Sequence, residues 1–428
     1  MIKISGIFRG LLYIAVFFLA DYVYIFAPNF MQGNATSIRF VIGLVGVLST
    51  VALLYLNGRK FEKSPAYALA EKYLLLYTFI IVFTMAFTII RYDYNFTQIM
   101  FSVTPYLYIY YSLPLIYLCE YDKKPFHTIK VVAVLLLLML FIKLICWLLY
   151  TFTGAVVFNN LIFFYGENWI RDGFLRIDPG CLFGVAFSVM FAAGYTNAKQ
   201  IKYKLSIVIM LLFLMFITRF RFQIVTALVV TMVGVYVASD NKKERHNKII
   251  LGITVVFLFV GLGGFSTLLS SFTLEGEYGG STFVRLLTTM HYWSLMVDKK
   301  AIFGLGLLNQ GNINCYVMME RTNMWGQRTW YFLEDIGILG GFFRFGILSI
   351  PLYGVLFHYG IKAYKKCRYQ GQKGQYVFLA CAVSYMMFSN LALNIFDGQR
   401  AFATPFYLAI ISYCYGTAAD TSPTQTME

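Results

Sequence analysis

The chain is poor in charge. Of its 428 residues only 13% are Asp, Glu, Lys or Arg, while 59% are apolar. A soluble core has no use for that much apolar surface. Acidic residues number 20 against 35 basic ones, and histidine occurs four times. The seven cysteines, Cys119, Cys146, Cys181, Cys315, Cys367, Cys381 and Cys414, show no paired spacing, so there is no disulfide framework and no zinc motif. No His, Cys and acid cluster has metal-ligand spacing, no Walker or Rossmann glycine pattern occurs, and Gly-x-Ser-x-Gly is missing. No internal repeat of either orientation stands out.

What the chain does have is a succession of apolar runs. A helix needs about 20 such residues to cross about 30 Å of hydrocarbon. The runs recur along the whole length, which predicts an all-α, polytopic membrane protein. The formal charge of +15 first suggests nucleic acid. Position argues otherwise, because most basic residues lie in short loops between apolar runs, the positive-inside pattern; no nucleic-acid partner is expected. Met1 to Gly10, with Lys3 and Arg9, resembles a signal peptide. The long run that follows, with no small-x-small site near Asp21, makes it a retained first span.

The runs predict about twelve spans, near 7–27, 38–56, 73–90, 98–118, 131–151, 180–195, 205–217, 222–239, 249–270, 333–358, 376–395 and 401–417. Pro105 and Pro114 should kink the fourth, since each removes a backbone donor. The run Leu205 to Ile217 decides the topology, being only about 20 Å long as a helix. Joined to the next run it would put Lys242, Lys243, Arg245 and Lys248 outside; a hairpin at Thr218-Arg219-Phe220-Arg221 puts them inside, as the charge rule prefers. Both termini are then inside. Residues 1–417 form one integral membrane domain, 271–332 one large outer loop between spans nine and ten, and 418–428 a polar, disordered tail.

Under this topology the inner segments carry 17 Lys and 4 Arg, and the outer ones 2 Lys and 10 Arg. The outer arginines are Arg39, Arg91, Arg171, Arg176, Arg219, Arg221, Arg285, Arg321, Arg328 and Arg400. Lys143 and Arg344 fall within spans. Lysine suffices for topology, whereas the planar arginine fork grips phosphate bidentately. An arginine-rich outer face therefore suggests a phosphate- or pyrophosphate-bearing ligand at the membrane surface; pairing with lipid headgroups or outer acids is the alternative. Arg219 and Arg221 are charges at membrane depth, which mark function by default, unless they snorkel from a helix end.

Phe283, Leu286, Leu287, Met290 and Trp293 form a helical apolar stripe suited to the membrane interface. Arg285, Thr289 and Tyr292 fall on another side, facing either a site or water. His291 is the one outer histidine, and a lone histidine is more often structural than catalytic. Glu334 and Asp335 stand at the predicted start of the tenth span. There an acid is stabilised by the helix dipole and can cap backbone donors. Their place at the junction of loop and membrane also makes them general-base candidates.

The order of these features is informative: a Thr218-Arg-Phe-Arg221 turn, then Ser281, Arg285, Trp293, Phe303-Gly-x-Gly306 with Asn309, then Asp335-Ile-Gly337-x-x-Gly340 entering a helix. With twelve spans and one late outer loop, it resembles the O-antigen polymerase and O-antigen ligase superfamily, closest to the branch that builds bacterial capsule or exopolysaccharide. The resemblance covers mainly residues 170–345. It implies a metal-independent, cofactor-free glycosyltransferase in the bacterial cytoplasmic membrane. Such an enzyme joins oligosaccharides carried on undecaprenyl pyrophosphate, on the outer face. Donor and acceptor lipid-linked oligosaccharides, membrane lipids and a chain-length-regulating copolymerase would be its partners.

The family's pyrophosphate-binding arginines match Arg219 or Arg221, and Arg285, by position. Arg176, Arg328 and Arg400 complete the candidate binding set, with Asp335 and Glu334 as catalytic candidates. Family ligases carry a histidine just before the span that follows the large loop. Here the nearest charged residue is Arg328, which favours the polymerase branch. A ligase with another acceptor and a flippase for lipid-linked sugars remain the competing readings. Transporters tend to show repeats and midplane polar residues, whereas here Lys143 and Arg344 are the main exceptions to a bare midplane.

Overall fold

In the computed structural model, residues 4–19, 35–57, 64–121, 127–157, 170–171, 174–196, 201–239, 246, 279–322, 328–398 and 400–420 are described. Six of the described helical stretches are long and apolar enough to cross a membrane: Thr36–Tyr55, Pro65–Tyr92, Phe96–Tyr121, His127–Thr153, Ile201–Thr218 and Ile338–Tyr369. Shorter apolar helices lie at Gly6–Ala15, Phe183–Tyr195 and Phe222–Ala238. The chain is a helical membrane protein. Its surface agrees: Leu75, Phe79 and Val82 on one helix, and Val134, Leu138 and Phe141 on another, are all more than half exposed. In water such a belt would be an aggregation surface; in hydrocarbon it is the ordinary outside. The expected span at 249–270 lies outside the described residues.

The helices are α1 (Ile4–Leu19), α2 (Ala35–Asn57), α3 (Pro65–Tyr92), α4 (Phe96–Leu107), α5 (Ser112–Tyr121), α6 (His127–Thr153), α7 (Phe183–Thr196), α8 (Ile201–Leu212) and α9 (Arg221–Ala238). After them come α10 (Gly279–Asp298), α11 (Ile313–Met319), α12 (Ile338–Phe345), α13 (Ser349–Tyr369), α14 (Lys373–Ser389) and α15 (Thr404–Asp420). Two small antiparallel hairpins, β1 (Ile170–Arg171) with β2 (Phe174–Leu175) and β3 (Glu320–Thr322) with β4 (Arg328–Trp330), sit in the connections. One correction concerns the tail, since 418–420 continue α15 as helix.

Pro105 and Pro114 bracket a change of helix type. Between α4 and α5 the chain tightens into a 3-10 turn, Tyr108–Tyr111. Pro114 has no N–H to give the carbonyl four residues back, that of Tyr110. That oxygen accepts instead from the Thr50 hydroxyl of α2. Tyr106 O, in the turn before the 3-10 segment, accepts from the Tyr77 hydroxyl of α3 at 3.1 Å.

The chain reverses at Arg219. A π-helical turn, Phe213–Thr218, ends α8, and Arg219 then takes a left-handed conformation (φ 51°) before Phe220 extends and α9 begins. Gly194, late in α7, packs against Tyr203 and Lys204, early in α8. Gly234, late in α9, packs against Phe191, also late in α7. The start of α8 and the end of α9 therefore lie at one level, as a hairpin requires.

In the described part of 279–332, α10 leads to α11 and the β3–β4 hairpin. On α10, Phe283, Leu286, Met290 and Trp293 stay exposed, while Leu287 is half-buried. Tyr292 does not face water. It is fully buried, and its hydroxyl donates to Tyr331 O at 2.7 Å. His291 is structural: Nε2 lies 2.6 Å from Met318 O and the ring stacks on Tyr331.

Candidate functional site

The Phe303-Gly-x-Gly306 motif is a strap. Gly304 and Gly306 both have positive φ (84° and 88°), which L side chains rarely adopt. The turn they permit sets the strap's backbone beside α12: Leu305 N donates to Phe343 O at 2.7 Å, and Gly306 N to Arg344 O at 3.0 Å. On its other edge the strap meets the end of α3. Tyr92 Oη donates to Leu305 O (2.6 Å), Tyr94 Oη to Leu307 O (2.5 Å), and Leu307 N to Thr88 Oγ1 (3.0 Å). Asn309 Nδ2 closes the far end on Ser102 Oγ, 3.0 Å away.

What the strap fixes is Arg344. This residue is 7% exposed and its guanidinium holds two carboxylates. Nη2 bonds Glu334 Oε1 at 2.5 Å, and Nη1 bonds Asp397 Oδ1. Asp397 is 3% exposed, and among the described residues its Oδ2 has no hydrogen-bond partner. Arg344, Glu334, Asp335 and Asp397 line a cavity of about 710 Å³ together with Ser102, Tyr106, Asn309, Gln310 and Phe332. The cavity lies where the strap and the 332–335 segment meet α4, α12 and the 390–400 connection.

Glu334 and Asp335 do not cap a helix. They belong to a separate 3-10 turn, Leu333–Ile336, and Gly337 (φ 56°, ψ −129°) divides it from α12. A side chain at 337 would run into the backbone of Asn390 and Leu391. Gly337 is itself the α12 N-cap and supplies no side-chain acceptor. Glu334 is committed to Arg344. Asp335 is half-buried, and burial pushes its carboxyl above the ordinary value; the Arg285 guanidinium opposes this and Glu334 adds to it. Arg285, on α10, is thus within electrostatic reach of the cavity through Asp335.

A second, basic centre lies around the reversal at 219–223. Arg400 is buried, and with the Gln223 amide turned to satisfy its neighbours, that oxygen accepts from both terminal guanidinium nitrogens, 3.0 Å from Nη1. Among the described residues Arg400 Nε has no hydrogen-bond partner. Tyr385 is within electrostatic reach of both Arg400 and Asp178. The Arg176 guanidinium stacks over the Phe220 ring, 5.6 Å from its centre. Arg219 is half-buried, with Nε donating to Phe216 O at 3.2 Å. Lys143, buried in α6, reaches up to Asp178 O at 2.8 Å, and Trp147 Nε1 to Leu175 O at 2.8 Å, which ties the 174–180 segment to that helix.

Arg221 opens α9, and Arg328 stands in β4 opposite Thr322; their side chains are outside the described set. One short turn joins the two centres. Asp397 faces Arg344, while its carbonyl accepts from Arg400 N at 2.8 Å. Of the candidates, then, Glu334 and Asp335 line the cavity with Arg285 close by, and Arg176, Arg219 and Arg400 meet the 219–223 turn. The sequence reading missed Arg344 and Asp397 as a pair. The signal for Arg344 was its charge within a span, which by default marks function.

Below the basic centre, α6 and α8 leave an apolar groove of about 380 Å³. Leu140, Leu144, Trp147, Ile209, Phe213 and Phe216 are among its walls, and it ends beside the Arg219 turn. No protein-family model and no curated protein matches the chain.

Proposed function

We propose that the protein is a polysaccharide polymerase that joins undecaprenyl-pyrophosphate-linked oligosaccharide repeat units on the outer face of the cytoplasmic membrane. In this reading it has twelve spans, both termini lie inside, and the 271–332 loop is outside. The observation that carries the proposal is the gathering of Arg176, Arg219 and Arg400 around one helix reversal at the head of an apolar groove. A long apolar tail with an anionic head matches that shape and charge. Arginine forks fixed before the reaction offset the charge that develops on a pyrophosphate leaving group. The cavity beyond the Asp397–Arg400 turn offers carboxylates, amides and a hydroxyl beside that head site.

The test is reconstitution of purified protein in vesicles with one lipid-linked repeat unit. Elongated glycan on the lipid supports the polymerase. Movement of the lipid across the bilayer without elongation makes it a flippase. Transfer only to a different added acceptor makes it a ligase.

A further inference from the structure

Among the described residues, one buried side-chain atom without a hydrogen-bond partner belongs to the lining of the 710 Å³ cavity. Asp397 Oδ1 accepts from Arg344, yet its buried Oδ2 has no donor among the described residues. A buried acceptor left unmade is rare in native folds, and such groups concentrate where a ligand or a proton is handled. The other two carboxylates of the cavity are differently placed. Glu334 is bound to Arg344 with its side chain 36% exposed. Asp335 is half-buried; burial pushes its carboxyl above the ordinary value, and the Arg285 guanidinium acts against that.

The lining has a clear chemical character. Three carboxylates stand there with one cation, alongside Ser102, Tyr106, Asn309, Gln310 and Phe332. That set repels phosphate or a uronate and suits uncharged hydroxyls: amides and carboxylates bond them, and aromatic rings cover apolar sugar faces.

We propose that this cavity holds the acceptor sugar, an uncharged glycan end, and that Asp397 Oδ2 receives the proton of the attacking hydroxyl. The inference rests on the glycosyl-transfer reading above. In the step, the hydroxyl oxygen bonds the donor's anomeric carbon. The bond from that carbon to the pyrophosphate oxygen breaks, and its electron pair leaves with the pyrophosphate. The hydroxyl proton passes to Asp397. Arg344 is a positioning residue: it orients the carboxylate through Oδ1 and leaves Oδ2 to the substrate.

The experiment measures kcat and KM in detergent with a purified undecaprenyl-pyrophosphate-linked oligosaccharide of neutral sugars. Positioned proton transfer is worth about 100- to 10,000-fold in rate. Asp397→Asn should lower kcat by at least that smaller factor, while KM stays within about threefold, as for an interaction made only in the transition state. Asp397→Glu keeps the charge and the pairing with Arg344 but moves the free oxygen, so kcat should fall about tenfold or more when geometry is catalytic. A role confined to the ion pair would leave Asp397→Glu at the wild-type rate.

Wild-type kcat from either variant overturns the assignment and leaves the polymerase reading standing. Failure of the wild-type protein to transfer glycan at all removes that reading, and this assignment with it. Should Asp397→Asn not accumulate in membranes, Asp397→Glu decides.

Discussion

Removing the Arg344 guanidinium should unsettle the fold more than any other single charge change among the described residues. Arg344→Met keeps most of the apolar stem and strands two carboxylates. Asp397 is 3% exposed, so its loss is that of a buried pair with one partner deleted, about 3–5 kcal/mol. The Glu334 side chain is 36% exposed, so water screens it and its share is under about 1 kcal/mol. The expected loss is therefore about 4 kcal/mol, a large part of the roughly 5–15 kcal/mol that holds a folded domain. Graded unfolding in mixed micelles with a denaturing detergent, followed by tryptophan fluorescence, measures it. Acid neutralises the stranded carboxylate, so the loss should shrink as pH falls. Arg344→Met combined with Asp397→Asn should recover more than about 1 kcal/mol, because the two side chains interact directly. A single variant within about 0.5 kcal/mol of wild type, the ordinary range for a surface change, would refute the reasoning. So would a double variant no more stable than the single.

Three further outcomes are expected. Arg219→Lys, Arg221→Lys and Arg285→Lys should insert normally but make about ten- to a hundredfold less polymer, because each lost charge-assisted bond is worth roughly 1.5–3 kcal/mol. Arg39→Lys should match wild type. Polymer on gels beside protein level in membranes is the readout, and normal polymer from all three removes the pyrophosphate clamp. Asp335 has a raised carboxyl value in the fold, so its contribution is fully present below the unfolded value and is lost as pH rises through the folded one. Asp335→Asn should therefore lose less stability than wild type between acid and neutral pH, and parallel curves would contradict the burial argument. Reporter fusions at Lys243 and Gly311 should report opposite sides of the membrane; the same side for both would sink the proposed topology.

The helices were legible because hydrocarbon imposes a length on every apolar run, and the reversal at Arg219 because loop charge made one long helix expensive. Glu334 and Asp335 were placed at the right junction with the wrong local structure. Only the packing of Gly337 against the 390–391 backbone makes that position a break rather than a helical residue. The Arg344–Asp397 pair was out of reach, since 53 residues separate its members and no local pattern links them. Tyr292 shows the same limit. Its helical face was correctly separated from the apolar stripe, but the Tyr331 carbonyl that receives its hydroxyl lies 39 residues further along the chain.

The strap at 302–309 is gripped largely through backbone atoms. Its partners read the N–H and C=O of residues 305 to 307, which every amino acid but proline supplies. Its side chains need only be apolar at the buried Leu305 and Leu307 and absent at the two glycines, with Asn309 closing the far end. Such a device carries little information per position. Chains could drift far apart in letters while still pinning an arginine at the same depth, so kinship of this kind is better sought in the spacing of glycines and hydroxyls than in overall identity.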